Sequence, residues 1–283
     1  MSNTKKKKMT AKKRRQIQLG VLAAEVVLLI GLVIGVVVLL MNQDSISSVI
    51  TKPHKTKEET ESQEESKKNH ALILENDKKI ENPTLADVEE YWLDSCFFGD
   101  SIMYGFGSYL NYAQKGALAN PTVVALVGYD LEMALSPLNK SSHPVYNGEK
   151  HTIFEVASAE QPKNIVLSFG INDLGKYGPE QFVENYSTVI TMLQAICPDA
   201  RIFVVSTTWV YAGRESGNRN NTNIAKMNEL MEEYCRENGC GFIDVASYLL
   251  DTDTNSLFSG YTTDFFVHIN NKAYDTWLAL FRR

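Results

Sequence analysis

Five short apolar runs, each ending in a turn and separated from the next by a longer segment, constrain this chain more than any other feature. They are residues 96–99 (CFFG), 122–127 (TVVALV), 164–169 (NIVLSF), 201–206 (RIFVVS) and 241–245 (GFIDV). The runs are continuous rather than alternating, the pattern of strands covered on both faces. Between them, apolar residues recur at helical spacing. Gly178-Pro179 opens one helix, where proline is tolerated in the first turn. Phe182, Tyr186, Val189, Ile190, Leu193 and Ile196 follow, and Pro198 closes it. A second helix covers about 222–238, with Ile224, Met227, Leu230 and Tyr234 inward and Gly239 as its stop. A third follows Asn270-Asn271 and carries Ala273, Trp277 and Leu280. Such alternation implies a parallel sheet with helices on both faces. Ligands in these folds bind beyond the carboxyl ends of the strands, so the residues that follow the runs are the ones to inspect.

Charge is segregated along the chain. The 283 residues sum to −6, yet residues 1–18 hold eight of the 28 basic residues and no acid, which leaves −14 on the rest. A body this acidic excludes nucleic acid as the main partner, because phosphate neutralisation needs clustered Lys and Arg on the folded part. Residues 19–41 form an apolar run whose only charge is Glu25. As a helix the run reaches about 35 Å, against roughly 30 Å for a bilayer core. It is longer than a signal-peptide core and lacks a small-residue exit site, so an uncleaved transmembrane helix is expected. Glu25 then lies near the basic end, where it reaches the interface. Basic residues collect on the cytoplasmic side. Residues 1–18 are therefore expected to be a cytoplasmic tail of a single-pass cell-membrane protein, with 42–283 outside the cytoplasm. Residues 42–83 read as a disordered polar linker, because 52–68 are mostly Lys, Glu, Thr and Ser and bury too little apolar area to offset ordering entropy. The folded domain is 84–283, enough for one sizeable core.

Four strand ends carry chemistry. Gly99-Asp100-Ser101 puts a serine where a strand gives way to a helix, exposed and with its N–H free to meet an oxyanion. Taken alone, such a serine reads first as an N-cap. Gly128 follows the second run and allows close approach of backbone to a ligand, or simply makes a turn. After the third run, Asn172 of Gly170-Ile171-Asn172-Asp173 offers a neutral amide donor for an oxyanion, or caps its own loop. Near the end, His268 of Asp264-Phe265-Phe266-Val267-His268 supplies a general base, and a nearby carboxylate would hold its tautomer.

The order Ser, Gly, Asn, His, each just after an element ending at one sheet edge, resembles the block pattern of the SGNH (GDSL-type) hydrolases. The likeness runs from about residue 97 to 277 and extends to the wording Phe98-Gly99-Asp100-Ser101-Ile102, Phe169-Gly170-Ile171-Asn172-Asp173-Leu174 and His268-Ile269-Asn270. The resemblance implies a flavodoxin-like three-layer α/β/α sandwich with five parallel strands. It implies Ser101 as nucleophile and His268 as base. It also implies an oxyanion hole of the Ser101 N–H, the Gly128 N–H and the Asn172 side chain, with no metal or organic cofactor. One departure stands out. The family places its Asp three residues before the His, where this chain has Phe265; Asp264 sits four before. A one-residue bulge would bring Asp264 to the imidazole; failing that, a backbone carbonyl would orient the ring, as in dyad members of the family.

Substrate residues are sought in the loop after the fourth run. Trp209 and Tyr211 offer rings for stacking on a sugar, and Arg214 a charge for an anionic glycan; the alternatives are that Trp209 packs in the domain and that Arg214 simply solvates the loop. With a membrane tether and a long linker, the expected substrate is an O-acyl, especially O-acetyl, ester on a cell-wall or surface glycan of a bacterial cell, or a small ester. Three activities fit: an esterase, an O-acyltransferase using the same Ser-His pair, and a catalytically weak glycan-binding domain. Cys96, Cys197, Cys235 and Cys240 allow three full disulfide connectivities outside the cytoplasm, with a free buried thiol as the alternative for Cys96.

Overall fold

The computed structural model describes residues 89–282. The basic tail, the apolar run 19–41, the linker 42–83 and residues 84–88 lie outside the described residues. Among those described, no helix is long and apolar enough to cross a membrane.

The five runs form five strands: β1 (Ser95–Gly99), β2 (Thr122–Ala125), β3 (Asn164–Ser168), β4 (Arg201–Val205) and β5 (Gly241–Ile243). They make one sheet in the order β2-β1-β3-β4-β5, and every pairing in it is parallel. Central β1 and β3 are buried at every position, as continuous apolar runs require. β2 stops two residues short of the expected run. It is an edge strand, and Val127, beyond the end of β1, is 65% exposed. β5 also stops early, and Asp244 beyond it accepts from the Ser247 N–H at 3.1 Å in the single helical turn that follows.

The longer helices are α1 (Ser101–Tyr112), α2 (Leu131–Leu135), α3 (Ile153–Glu160), α4 (Pro179–Ile196), α5 (Asn221–Glu237) and α6 (Asn271–Phe281). Parallel strands are joined by right-handed crossovers. The chain moves one way from β1 to β2 and the other way from β2 to β3, β4 and β5, so α1 falls on one face and α2 to α5 on the other. The packing agrees: α4 contacts α2, α3 and α5, whereas α1 contacts α6. The inward face of α5 is Ile224, Met227, Met231 and Cys235, not Leu230 and Tyr234, which are half-buried. The helix is rotated by about one residue from the sequence expectation.

Between the sheet and the α1–α6 layer lies an aromatic slab. Phe106 of α1 meets Trp277 and Phe281 of α6 with centroids 5.3 and 5.5 Å apart, and Phe97 of β1 stacks on Phe281 at 5.5 Å. The slab joins the helix that starts at Ser101 to the helix that follows His268. All four cysteines are free and buried. Burial pushes the Cys96 thiol up to about 12 and the Cys240 thiol to about 11, far from thiolate reactivity.

Candidate active site

The direction reversal places a switch point between β1 and β3, where the turns after both strands diverge and leave a crevice. Gly99 ends β1 against the neighbouring turn so closely that a Cβ there would stand 2.4 Å from the Ser168 carbonyl oxygen. Asp100 then caps α1, its carboxylate accepting from the Ile102 N–H at 2.8 Å. Ser101 is thus the first residue of α1, and its N–H has no intrahelical acceptor. The capping role considered for Ser101 belongs to Asp100, which leaves the serine hydroxyl free.

That hydroxyl lies 3.0 Å from His268 Nε2. His268 Nδ1 lies 2.6 Å from Asp264 Oδ2. The extra residue between Asp264 and His268 is absorbed in a closed loop. Asp264 Oδ1 accepts from the N–H groups of Phe266, Val267 and His268 at 2.8, 3.2 and 3.2 Å. The Thr263 N–H donates to the His268 carbonyl at 2.9 Å, and the Phe265 N–H donates to Thr262 Oγ1 at 2.9 Å. Phe265 takes the left-handed conformation, φ +52°, which is the bulge anticipated from the spacing. One carboxylate oxygen therefore folds the loop while the other orients the imidazole. Partial burial opposes ionisation of Asp264. The hydrogen bonds from the His268 ring and from the Phe266 and His268 N–H groups outweigh it and hold the carboxyl below its ordinary value.

Asn172 is half-buried beside β3 and does not cap its own loop. Its Nδ2 donates to the Tyr129 carbonyl at 3.1 Å and reaches Asp100 Oδ2 at 3.5 Å. The Tyr129 carbonyl fixes the plane of the amide. Gly128 precedes Tyr129 in an exposed turn at φ +77°, where an added Cβ would touch nothing. Glycine is favoured there by backbone conformation, not by crowding. Beneath these turns lie Asp100 and Asp173, almost wholly buried. Burial pushes each up to about 7, against the N–H groups of Ile102 and Met103 for Asp100 and of Leu131 for Asp173.

A hydroxyl, an imidazole and a carboxylate in one hydrogen-bonded line form a proton-transfer chain. The imidazole can take the proton from the hydroxyl as its oxygen attacks an electrophile, and the carboxylate stabilises the imidazolium. Of the loop residues singled out for substrate, Trp209 is corrected. It is 8% exposed and its indole donates to the Ala246 carbonyl at 2.7 Å, so it belongs to the core. Tyr211 is half-buried and Arg214 exposed, 5.6 Å over the Phe266 ring. A cleft of about 740 Å³ opens from Ser101 and His268 between α1 and α6, with Ser108, Tyr109, Tyr112, Asn270 and Lys272 among its walls. Sequence reasoning missed this wall. Its signal was a stripe of Ser101, Gly105, Ser108 and Tyr112 at helical spacing, polar and aromatic where the opposite face of α1 is apolar. Among the described residues no group of three or more His, Cys, Asp or Glu is placed to hold a metal ion.

The model of the GDSL-like Lipase/Acylhydrolase family matches residues 97–276, well over half of the chain. The chain belongs to that family. Family membership makes it a serine ester hydrolase. Among solved structures, a GDSL-like lipase from Bacteroides thetaiotaomicron shares the fold. It is 17% identical, with a TM-score of 0.51 over 75% of this chain and 94% of that one. A member of the lipolytic G-D-S-L family from Veillonella parvula is 16% identical over 66% of this chain and 94% of its own, TM-score 0.48. An acetyl-xylooligosaccharide esterase mutant from Geobacillus is 10% identical over 66% and 91%, TM-score 0.48. No curated protein matches the chain.

Proposed function

We propose that the chain is a membrane-anchored, extracytoplasmic esterase that removes O-acyl groups, acetyl foremost, from surface or cell-wall glycan. The observation that carries the catalytic part is the unbroken line from Ser101 Oγ to His268 Nε2 at 3.0 Å and from His268 Nδ1 to Asp264 Oδ2 at 2.6 Å. Ser101 Oγ attacks the ester carbonyl carbon and His268 Nε2 takes its proton. The resulting oxyanion is met by the N–H groups of Ser101 and Gly128 and by Asn172 Nδ2. Collapse breaks the C–O bond to the alcohol, which leaves with the proton from His268. A water then attacks acyl-Ser101, giving its proton to His268; this returns to Ser101 as the carboxylic acid departs.

Hydrolysis is favoured over transfer because the His268 side chain is 43% exposed, so bulk water reaches the acyl-enzyme. Glycan is favoured over a lipid chain because the cleft walls are mainly tyrosine, serine, threonine, asparagine and lysine, with Ala113 and Ile269 as the aliphatic members. The anchor rests on residues 19–41 and the basic residues before them.

The test uses the full chain in cells. p-Nitrophenyl acetate hydrolysis is assayed in membrane and soluble fractions, beside Ser101→Ala and His268→Ala. Turnover should sediment with membranes and fall by on the order of 10⁴ in either variant. Activity retained by both variants would remove the assignment of nucleophile and base. Activity in the soluble fraction alone would remove the anchor.

A further inference from the structure

Phe265 fills the extra place between Asp264 and His268, and it does so at a double disadvantage. Its φ of +52° is a conformation in which a bulky L residue is strained and which glycine or asparagine adopts more easily. Its side chain is 56% exposed, an apolar ring in water. The loop does not need that ring. The bonds that set His268 use the Asp264 carboxylate and the N–H groups of residues 266–268, and Phe265 itself adds only a backbone N–H. Folding alone favours glycine or asparagine at this place, so the ring points to a role outside folding.

Among the described residues the ring has one aromatic neighbour. Tyr211, from the loop after β4, meets it edge to face with centroids 5.4 Å apart at 78°. The Tyr211 N–H donates to the Phe266 carbonyl at 2.7 Å, which ties the two loops together. Exposed Arg214 lies close by, over the Phe266 ring. An alkyl chain would need enclosing apolar walls, whereas Phe265 stands exposed next to the exposed Asp264, with Arg214 over the adjoining Phe266 ring. A saccharide ring suits it better: its C–H face covers an aromatic ring while its hydroxyls stay in water or meet polar neighbours.

We propose that Phe265 and Tyr211 form an aromatic subsite for a saccharide unit of the ester substrate, distinct from the α1–α6 cleft. The subsite rests on the glycan-ester function proposed above and names residues that set specificity within it. Phe265 binds; it takes no part in proton transfer.

The test compares wild type, Phe265→Ala and Phe265→Asn on O-acetylated cellotriose and on p-nitrophenyl acetate, which carries no saccharide. Asparagine keeps the left-handed backbone accessible and removes the ring. In both variants the ratio of kcat/KM on the trisaccharide to that on p-nitrophenyl acetate should fall about tenfold, through KM, the upper range for loss of one aromatic contact. An unchanged ratio overturns the subsite, whether both activities stay or drop together; a joint drop would mean that the ring only holds the His268 loop. Wild-type enzyme that cleaves p-nitrophenyl acetate but releases no acetate from the trisaccharide overturns the glycan function and the saccharide assignment with it. A selective loss on p-nitrophenyl butyrate over acetate would reassign the ring to the acyl chain.

Discussion

Asp264 is asked to do two things, and substitution can separate them. Asparagine keeps the Oδ1 that accepts three loop N–H groups but replaces the oxygen facing His268 Nδ1 with an amide. The loop of Asp264→Asn should stay folded while the imidazole loses its anionic partner and its useful tautomer. A fall in kcat on the order of 10³ to 10⁴ is expected, with little change in Tm; the comparable change in a serine protease triad is about 10⁴. Asp264→Ala should lower both. Wild-type kcat in the asparagine variant would show that His268 needs no carboxylate. Because its pKa is held below the ordinary value, Asp264 remains ionised in mildly acidic solution, and its contribution to stability is lost only as pH falls through that lowered pKa. Much of this site was legible in the sequence: Ser101, Asn172, His268 and the bulged Asp264 come together as the block order implied. Trp209 was ambiguous because an aromatic in an active-edge loop reads the same whether it faces solvent or core; only its bond to Ala246 decides. Phe265 was read as a spacing fault. A single letter does not show that the residue is left-handed and exposed.

Across elements, the spacing of Ser101 from His268 depends on how closely α1 and α6 approach. The approach is set by Gly105 and Tyr274. The Tyr274 hydroxyl donates to the Ile102 carbonyl at 2.8 Å. A Cβ at Gly105 would stand 2.1 Å from that hydroxyl and 3.0 Å from Cζ. Gly105→Ala must therefore displace the buried Tyr274 ring, with an expected loss of about 1–3 kcal/mol and a fall in kcat as the shift passes to α6 and the hydroxyl and imidazole separate. Adding Tyr274→Phe removes the 2.1 Å contact and leaves the 3.0 Å one, so the double variant should regain part of both quantities. Thermal unfolding and p-nitrophenyl acetate turnover check this; additive losses would mean that the two residues do not meet. The five strands and the helices α4, α5 and α6 were legible because continuous apolar runs and 3.6-residue periods survive in a single sequence. α2 and α3 were not. They are short, and α3 is defined mainly by the Thr152–Glu155 capping box and the left-handed Gln161 at its end. The turn of α5 from Leu230 and Tyr234 to Met231 and Cys235 is likewise a packing outcome, since both stripes are apolar enough to face inward.

At the scale of the whole molecule, an acidic body folds around a still more acidic centre. Three turns that leave adjacent strands, after β1, β2 and β3, each bring in a buried aspartate: Asp100, Asp130 and Asp173. Asp130 is paired with Lys176 at 2.8 Å. Asp173 accepts from the Leu131 N–H at 3.0 Å, and its other oxygen has no partner among the described residues. Together with Asn172, these side chains tie the three turns into one frame beside Ser101. The charge has a consequence for stability. Asp100 and Asp173 rise from 3.8 to about 7 on folding. Between about pH 4 and pH 7 the native state therefore holds protons that the unfolded chain has released, and stability falls as pH rises through that window. Asp264 has the opposite sign, and its effect lies below the window. The Tm should accordingly be higher near pH 5 than near pH 8. Asp100→Asn, which keeps an acceptor for the Ile102 N–H, should flatten the decline and raise the Tm at pH 8. Unfolding curves from pH 4 to pH 8 for wild type and Asp100→Asn decide the matter. Parallel curves would mean that Asp100 is not the group that titrates. A flattened curve would mean that the frame holding Asn172 and Ser101 is least stable on the alkaline side, because the buried carboxyl of Asp100 must ionise there.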